Sequence, residues 1–198
     1  LGVTLETLPS PIPYLFADRP RVEQWAAWLG PKTGPRVGIA WAGNPRSEQD
    51  DLRGRSVPLS AFRRLLSIEG AEFISLQREY GLEQLDDRQW AGRLRSPDPP
   101  LDPGNDGFLD TAALMTALDL VITCDTSIAH LAGGLGLSAW VTLHHTPDWR
   151  WLRGREDSPW YPTLRLVRVR IGRFLLGQLE PGRWRELEAN DRALVFSR

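Results

Sequence analysis

The clearest pattern in this chain lies between residues 111 and 136, TAALMTALDLVITCDTSIAHLAGGLG. Residues 118–123 (LDLVIT) are an apolar run broken only by Asp119, which predicts a parallel strand covered on both faces. Further on, Ile128, Leu131, Ala132 and Leu135 recur at i, i+3, i+4 and i+7, the stripe of a half-buried helix, and Gly136 marks its end. Between strand and helix stand Asp125, Thr126 and Ser127, three residue types that cap helices.

The same alternation runs through the rest of the chain. Residues 1–20 are rich in proline and polar residues and predict an extended connector. Asp18 and Pro20 open a helix with Val22, Trp25, Ala26 and Leu29 on one face, closed by Gly30, and Trp28 falls outside that stripe. A strand over 37–42 (VGIAWA) is followed by a polar loop, a helix capped by Ser60 with Phe62, Leu65 and Leu66, and a strand over 73–76. A less regular helix is predicted over 80–94, a Pro/Gly/Asp loop over 96–107, and a helix capped by Asp110 after it. Residues 139–143 and 163–169 read as two more strands, 171–183 as irregular, and 184–194 as a final helix. Strands alternating with helices predict an α/β, Rossmann-like three-layer domain with a mainly parallel sheet of about five or six strands. The division is a connector and first helix over 1–36, the domain proper over 37–170, and a terminal segment over 171–198.

In such a fold, ligands sit beyond the carboxyl ends of the strands, and the polar residues there become the candidates. Thr126 and His130 are four apart and Ser127 and His130 three apart, so they share one side of the first helical turn. A helix start carries unpaired N–H groups and about half a positive charge, so hydroxyls and an imidazole beside it make an anion cradle, with phosphate the obvious anion. The same residues also fit a simple cap with a surface or core histidine, and spacing alone does not separate the two. After the 37–42 strand, Gly43 allows close approach to the backbone, and Arg53 and Arg55 offer bidentate donors. No complete Gly-rich phosphate motif is present. Trp149, Arg150 and Trp151, in a dense loop over 147–162, are suited to stacking on a base or sugar and pairing with an anion; they equally suit a rigid loop pinned by Arg–Asp pairs.

Composition narrows the classes. The net charge of −1 over 198 residues leaves no broad basic field for nucleic acid or an anionic membrane. Cys124 is the single cysteine, so no internal disulfide forms. No run reaches transmembrane length and no signal peptide is visible, which makes a cytoplasmic location the default expectation. No metal-ligand spacing appears, and His144 and His145, as strand neighbours, point to opposite sides. The start at Leu1 rather than Met reads as a piece of a longer chain.

Several segments also carry a family resemblance: VGIAWAGNP (37–45), RGRSVPLSAF (53–62), FISLQ (73–77), LDTAALMTALDLVITCDTSIAHLAGGLG (109–136) and DWRWLRGREDSPWYP (148–162). The chain resembles the C-terminal half of bacterial glycosyltransferase family 9, the ADP-heptose:lipopolysaccharide heptosyltransferase type. It is more similar still to the glycosyltransferase-like domain that ends many bacterial tetratricopeptide-repeat proteins. The resemblance implies a GT-B fold of which this is the donor-binding half. It implies that Asp125, Thr126, Ser127 and His130 hold the nucleotide diphosphate, with Gly43, Asn44 and Arg55 adding phosphate contacts and Gln77 with its neighbours approaching the ribose. Ser127 stands where the family often has glycine, and Arg55 where it has lysine.

The expectation is therefore the donor domain of an inverting, metal-independent glycosyltransferase that needs no cofactor beyond an ADP- or UDP-type nucleotide-sugar donor. Its acceptor, a glycan or protein, and its general base belong to an N-terminal half, or to helical repeats, outside these residues. The domain alone is expected to bind and not to turn over. The alternatives are a non-catalytic scaffold or interaction module of the same fold, and a sugar-nucleotide epimerase, for which no convincing carboxylate pair is visible.

Overall fold

The first helix, α1 (Arg19–Leu29), starts where the side chain of Asp18 accepts the Arg21 N–H, with proline in its first turn, and ends at Gly30 in a positive-φ conformation. In this computed structural model, residues 2, 4, 5, 7, 11–45, 55–104, 107–143, 147–152, 154–168, 170–171 and 174–175 are described. Five strands, β1 (Arg36–Ala40), β2 (Glu72–Ser75), β3 (Leu120–Cys124), β4 (Ala139–Leu143) and β5 (Leu164–Arg168), form one sheet in the order β2-β1-β3-β4-β5. Every pairing in it is parallel. Arg170–Ile171 and Phe174–Leu175 add a short antiparallel hairpin, β6–β7, where an irregular segment was expected. The helix expected over 184–194 lies outside the described residues.

Period-two alternation along the strands sends their side chains into two apolar layers. On one face Val37, Ile39, Trp41, Phe73 and Ile122 meet Leu59, Phe62, Leu65 and Leu66 from a 3-10 turn (Leu59–Phe62) and α2 (Arg63–Leu66). On the other, Ala40, Ile74, Val121, Val141 and Leu166 meet α1, α3 (Leu109–Met115) and α4 (Ser127–Gly134). The expected three-layer α/β architecture is what forms. Trp28, outside the predicted stripe, still packs: its ring lies 5.5 Å from that of Trp25, and the Arg95 guanidinium sits 3.7 Å above it.

Three local expectations differ from the structure. Residues 80–94 form two 3-10 turns, Leu82–Asp86 and Arg88–Trp90, instead of one helix. Gly81 is left-handed with φ +82° and Asp87 caps the second turn, so each acts as a boundary inside the predicted span. Ser60 lies within the 3-10 turn, and Pro58 precedes it without a side-chain cap. Asp110 is not a cap either. It is buried in the first turn of α3, accepting from Arg21 and from the Trp25 indole N–H, while Asp102 accepts the N–H groups of Asp110 and Thr111. A non-local carboxylate has taken over the capping role.

Candidate functional site

The strand order reverses between β1 and β3, and at such a switch point the loops leaving the strands part to make a crevice. Here the crevice is an open cleft of about 590 Å³, in the usual range for a small-molecule site. Four carboxyl-edge segments line it. The loop after β1 brings Gly43 and Asn44, with Arg55 beyond; the loop after β2 brings Arg78, Glu79 and Tyr80; the β3–α4 junction brings Asp125 through Ile128 and then His130; and the loop after β4 brings Asp148 and Arg150.

The β3–α4 junction is the most telling wall. Thr126 is the extended residue before α4, with φ −136° and ψ 176°, but its hydroxyl is not turned back onto the helix. It shares a hydrogen bond with the Thr123 hydroxyl at 3.1 Å, and Thr126 makes no side-chain cap of α4. The capping arrangement that the sequence also allowed is thus not the one adopted. The start of α4 is presented at the cleft wall, with the exposed Ser127 as its first residue and Asp125 buried just ahead. The far end of α4 is closed by a Schellman arrangement, Leu137 N–H to Ala132 C=O at 2.9 Å and Gly136 N–H to Gly133 C=O at 3.0 Å.

His130 sits one turn further along, half-buried. Its ring stacks on Trp151 with centroids 5.1 Å apart and planes 18° from parallel, and its Nδ1 is 3.2 Å from the Tyr161 hydroxyl. Burial pushes its pKa below the usual imidazole value; Asp125 and Asp148 work against that shift and Arg150 adds to it. Trp151 is therefore a buried support, while Trp149, two residues earlier, is exposed and meets Trp160 edge-on at 6.0 Å. Of the expected aromatic pair, only Trp149 is placed to stack on anything outside the protein.

The opposite wall is fixed from within. Gly43 donates its N–H to the Ser56 hydroxyl at 2.9 Å. Gln77 does not line the cleft, contrary to the expectation that it meets a ribose. Its buried amide clamps two loops: Oε1 accepts the N–H groups of Trp41 and Ala42 at 2.8 and 2.9 Å, and Nε2 donates to the carbonyls of Ala42, Arg78 and Tyr80. Its neighbours Arg78, Glu79 and Tyr80 are the ones at the surface of the cleft. Arg78 is held by Asp102 at 3.4 Å and lies 5.2 Å from the Phe108 ring, and Arg150 pairs with Asp148 at 2.8 Å. Arg53, His144 and His145 lie outside the described residues. Three arginines and three carboxylates line the cleft, so it carries no general positive field.

Three contributors carried no local signal: Phe108, with φ +71° just before α3; Asp148; and Tyr161, which reaches His130 across the fold. Among the described residues no group of three or more His, Cys, Asp and Glu side chains is placed to hold a metal ion, and no helix is long and apolar enough to cross a membrane.

This arrangement belongs to a known class of α/β folds. The chain superposes on a glycosyltransferase family 9 structure from Veillonella parvula DSM 2008 with a TM-score of 0.57 and 14% identity, covering 84% of this chain and 45% of that one. It superposes on the E. coli ADP-heptose lipopolysaccharide heptosyltransferase II with a TM-score of 0.55 and 16% identity, covering 82% of this chain and 47% of that one. The shared feature is the Rossmann-like fold. In sequence, Protein FlbA of Caulobacter vibrioides is 31% identical over 176 residues, which is 83% of this chain and 27% of that protein. The chain thus spans about a quarter of that curated relative and under half of each solved structure. No family model matches it.

Proposed function

We propose that the cleft binds the diphosphate of a nucleotide-sugar, and that the domain is the donor-binding half of a glycosyltransferase of the inverting, metal-independent type. The observation that carries this reading is the start of α4, uncapped by the Thr126 side chain, at the wall of a 590 Å³ cleft, with Ser127 and His130 on the same turn. Two oxygens of a diphosphate would take the first-turn N–H groups and the Ser127 hydroxyl, His130 would add a third donor, and Gly43 and Asn44 would face the same group from the β1 side. When a glycosidic bond to the nucleotide breaks, negative charge grows on the leaving diphosphate. Donors fixed in advance at that point stabilise the transition state more than the ground state. The acceptor and the general base are supplied by another domain, so this half binds donor without turning it over.

The test is a melting panel with ADP, UDP, GDP and their common sugars. A ligand at one hundred times its dissociation constant adds about 2.7 kcal/mol, a shift of several degrees in a domain of this size. We expect one base to stabilise selectively, and His130→Ala to weaken that ligand about tenfold, or about 1.4 kcal/mol. A flat panel from folded protein would overturn the reading in favour of a non-catalytic module.

A further inference from the structure

We propose that Tyr161 is a positioning residue for His130, holding its imidazole in the neutral tautomer with the proton on Nε2, so that His130 meets the cleft as a hydrogen-bond donor. The role of His130 toward a diphosphate rests on the function proposed above; its tautomer does not.

The argument begins in the glycine pair at the end of α4. A Cβ on Gly133 would fall 2.3 Å from the Tyr161 ring, so only glycine at this position lets that ring lie against the helix one turn beyond His130. A Cβ on Gly134 would fall 2.6 Å from the Leu15 side chain, and the Gly134 carbonyl accepts the N–H groups of Tyr14 and Leu15 at 2.9 and 3.0 Å. The pair therefore seats two tyrosines on one side of α4.

Those tyrosines form a directed chain. The Tyr14 hydroxyl donates to the Tyr161 oxygen at 3.5 Å, and the Tyr161 oxygen lies 3.2 Å from His130 Nδ1. A phenol has one proton; with its oxygen accepting from Tyr14, Tyr161 has its own proton to give to Nδ1. Burial holds the Tyr161 phenol above its usual range, which keeps that proton in place. Nδ1 is then an acceptor, and the ring proton of a neutral imidazole must be on Nε2. Trp151 covers one ring face and Tyr161 packs edge-on at 5.7 Å, so the ring is held against flipping. The charged groups facing the ring, Asp125 at the end of β3 with Asp148 and Arg150 from the loop after β4, oppose one another, and burial tips the balance toward the neutral form. An imidazole of this kind donates one proton to a phosphate oxygen across neutral pH without carrying charge into the cleft.

The test is nitrogen NMR of protein labelled at its histidines, with the His130 signal assigned by its loss in His130→Gln. Near neutral pH we expect an unprotonated Nδ1 and a protonated Nε2 in the unmodified chain, a mixture of tautomers in Tyr161→Phe, and the same mixture in Gly133→Ala. ADP affinity is expected to fall severalfold in Tyr161→Phe while its melting temperature without ligand stays within a few degrees. A dominant Nδ1–H form or an imidazolium in the unmodified chain would overturn the proposal, as would an unchanged tautomer in Tyr161→Phe. If ADP, UDP and GDP all fail to bind while the expected tautomers are seen, the donor-site reading fails and the positioning of His130 stands.

Discussion

The two walls of the cleft use polar residues in opposite ways. After β2, the Gln77 side chain makes five hydrogen bonds, all to backbone of the same protein, and turns its amide away from the cleft. After β3, Thr126 bonds sideways to Thr123 and leaves the start of α4 without a cap from its own side chain. One wall is closed on itself and the other is held ready. A polar residue at the carboxyl end of a parallel strand is thus no guide to binding until its partners are counted.

The strongest way to break this comparison is Gln77→Ala. The substitution leaves the N–H groups of Trp41 and Ala42 without their acceptor, the former fully buried, so a loss of about 3 kcal/mol is expected. That corresponds to a fall in melting temperature of roughly 6–12 °C. Denaturant unfolding without ligand reads it directly. A stable variant that had lost only nucleotide binding would show that Gln77 serves the ligand after all.

The next effect is a dependence on acid pH carried by the frame of the sheet. Burial pushes the Glu72 carboxyl up, but the Thr33 hydroxyl and N–H and the Arg36 guanidinium outweigh it and hold the group at about 2. Asp110 moves the same way: burial raises it, and the Trp25 and Arg21 hydrogen bonds bring it down further. A carboxylate with a depressed native pKa lends stability that is complete above its unfolded pKa and lost as pH falls toward the native value. Stability should therefore decline between about pH 5 and pH 2, by on the order of 2 kcal/mol for Glu72, and Glu72→Gln should flatten that decline. Urea midpoints at pH 6 and pH 3 check it, and equal declines in both proteins would remove Glu72 from the account.

The contrast between the walls also explains what was legible in the sequence. The β3 run, the apolar spacing of α4 and the Asp125–Ser127 junction are local patterns, and they reappear with shifts of a residue or two at their ends. The five parallel strands and the side of the sheet that holds the cleft follow from alternation of strand and helix. What could not be read depends on long-range partners. Asp110 looks like a cap until Arg21 and Trp25 arrive from 89 and 85 residues away. Gln77 looks like a ligand residue until Trp41 and Ala42 take its oxygen. Trp149 and Trp151 look alike, yet the 3-10 turn of Trp149–Trp151 exposes one and buries the other against His130.

The smallest effect is the sharpest probe of the open wall. Ser127 is the first residue of α4, a position where proline is well tolerated, because its fixed φ suits the helix and its missing N–H has no partner inside the helix. The residue before it must be extended, and Thr126 is, at φ −136° and ψ 176°. Ser127→Pro should therefore leave stability within about 0.5 kcal/mol while deleting both the N–H and the hydroxyl of Ser127 from the wall. Ser127→Ala deletes the hydroxyl and keeps the N–H. If the backbone at the helix start is what holds the diphosphate, the proline variant should lose about 1.5 kcal/mol of ADP affinity, or about tenfold, and the alanine variant distinctly less. Titration calorimetry on the two variants decides it. Equal losses would assign the work to the hydroxyl, and no loss in either would mean that the start of α4 is exposed for some purpose other than an anion.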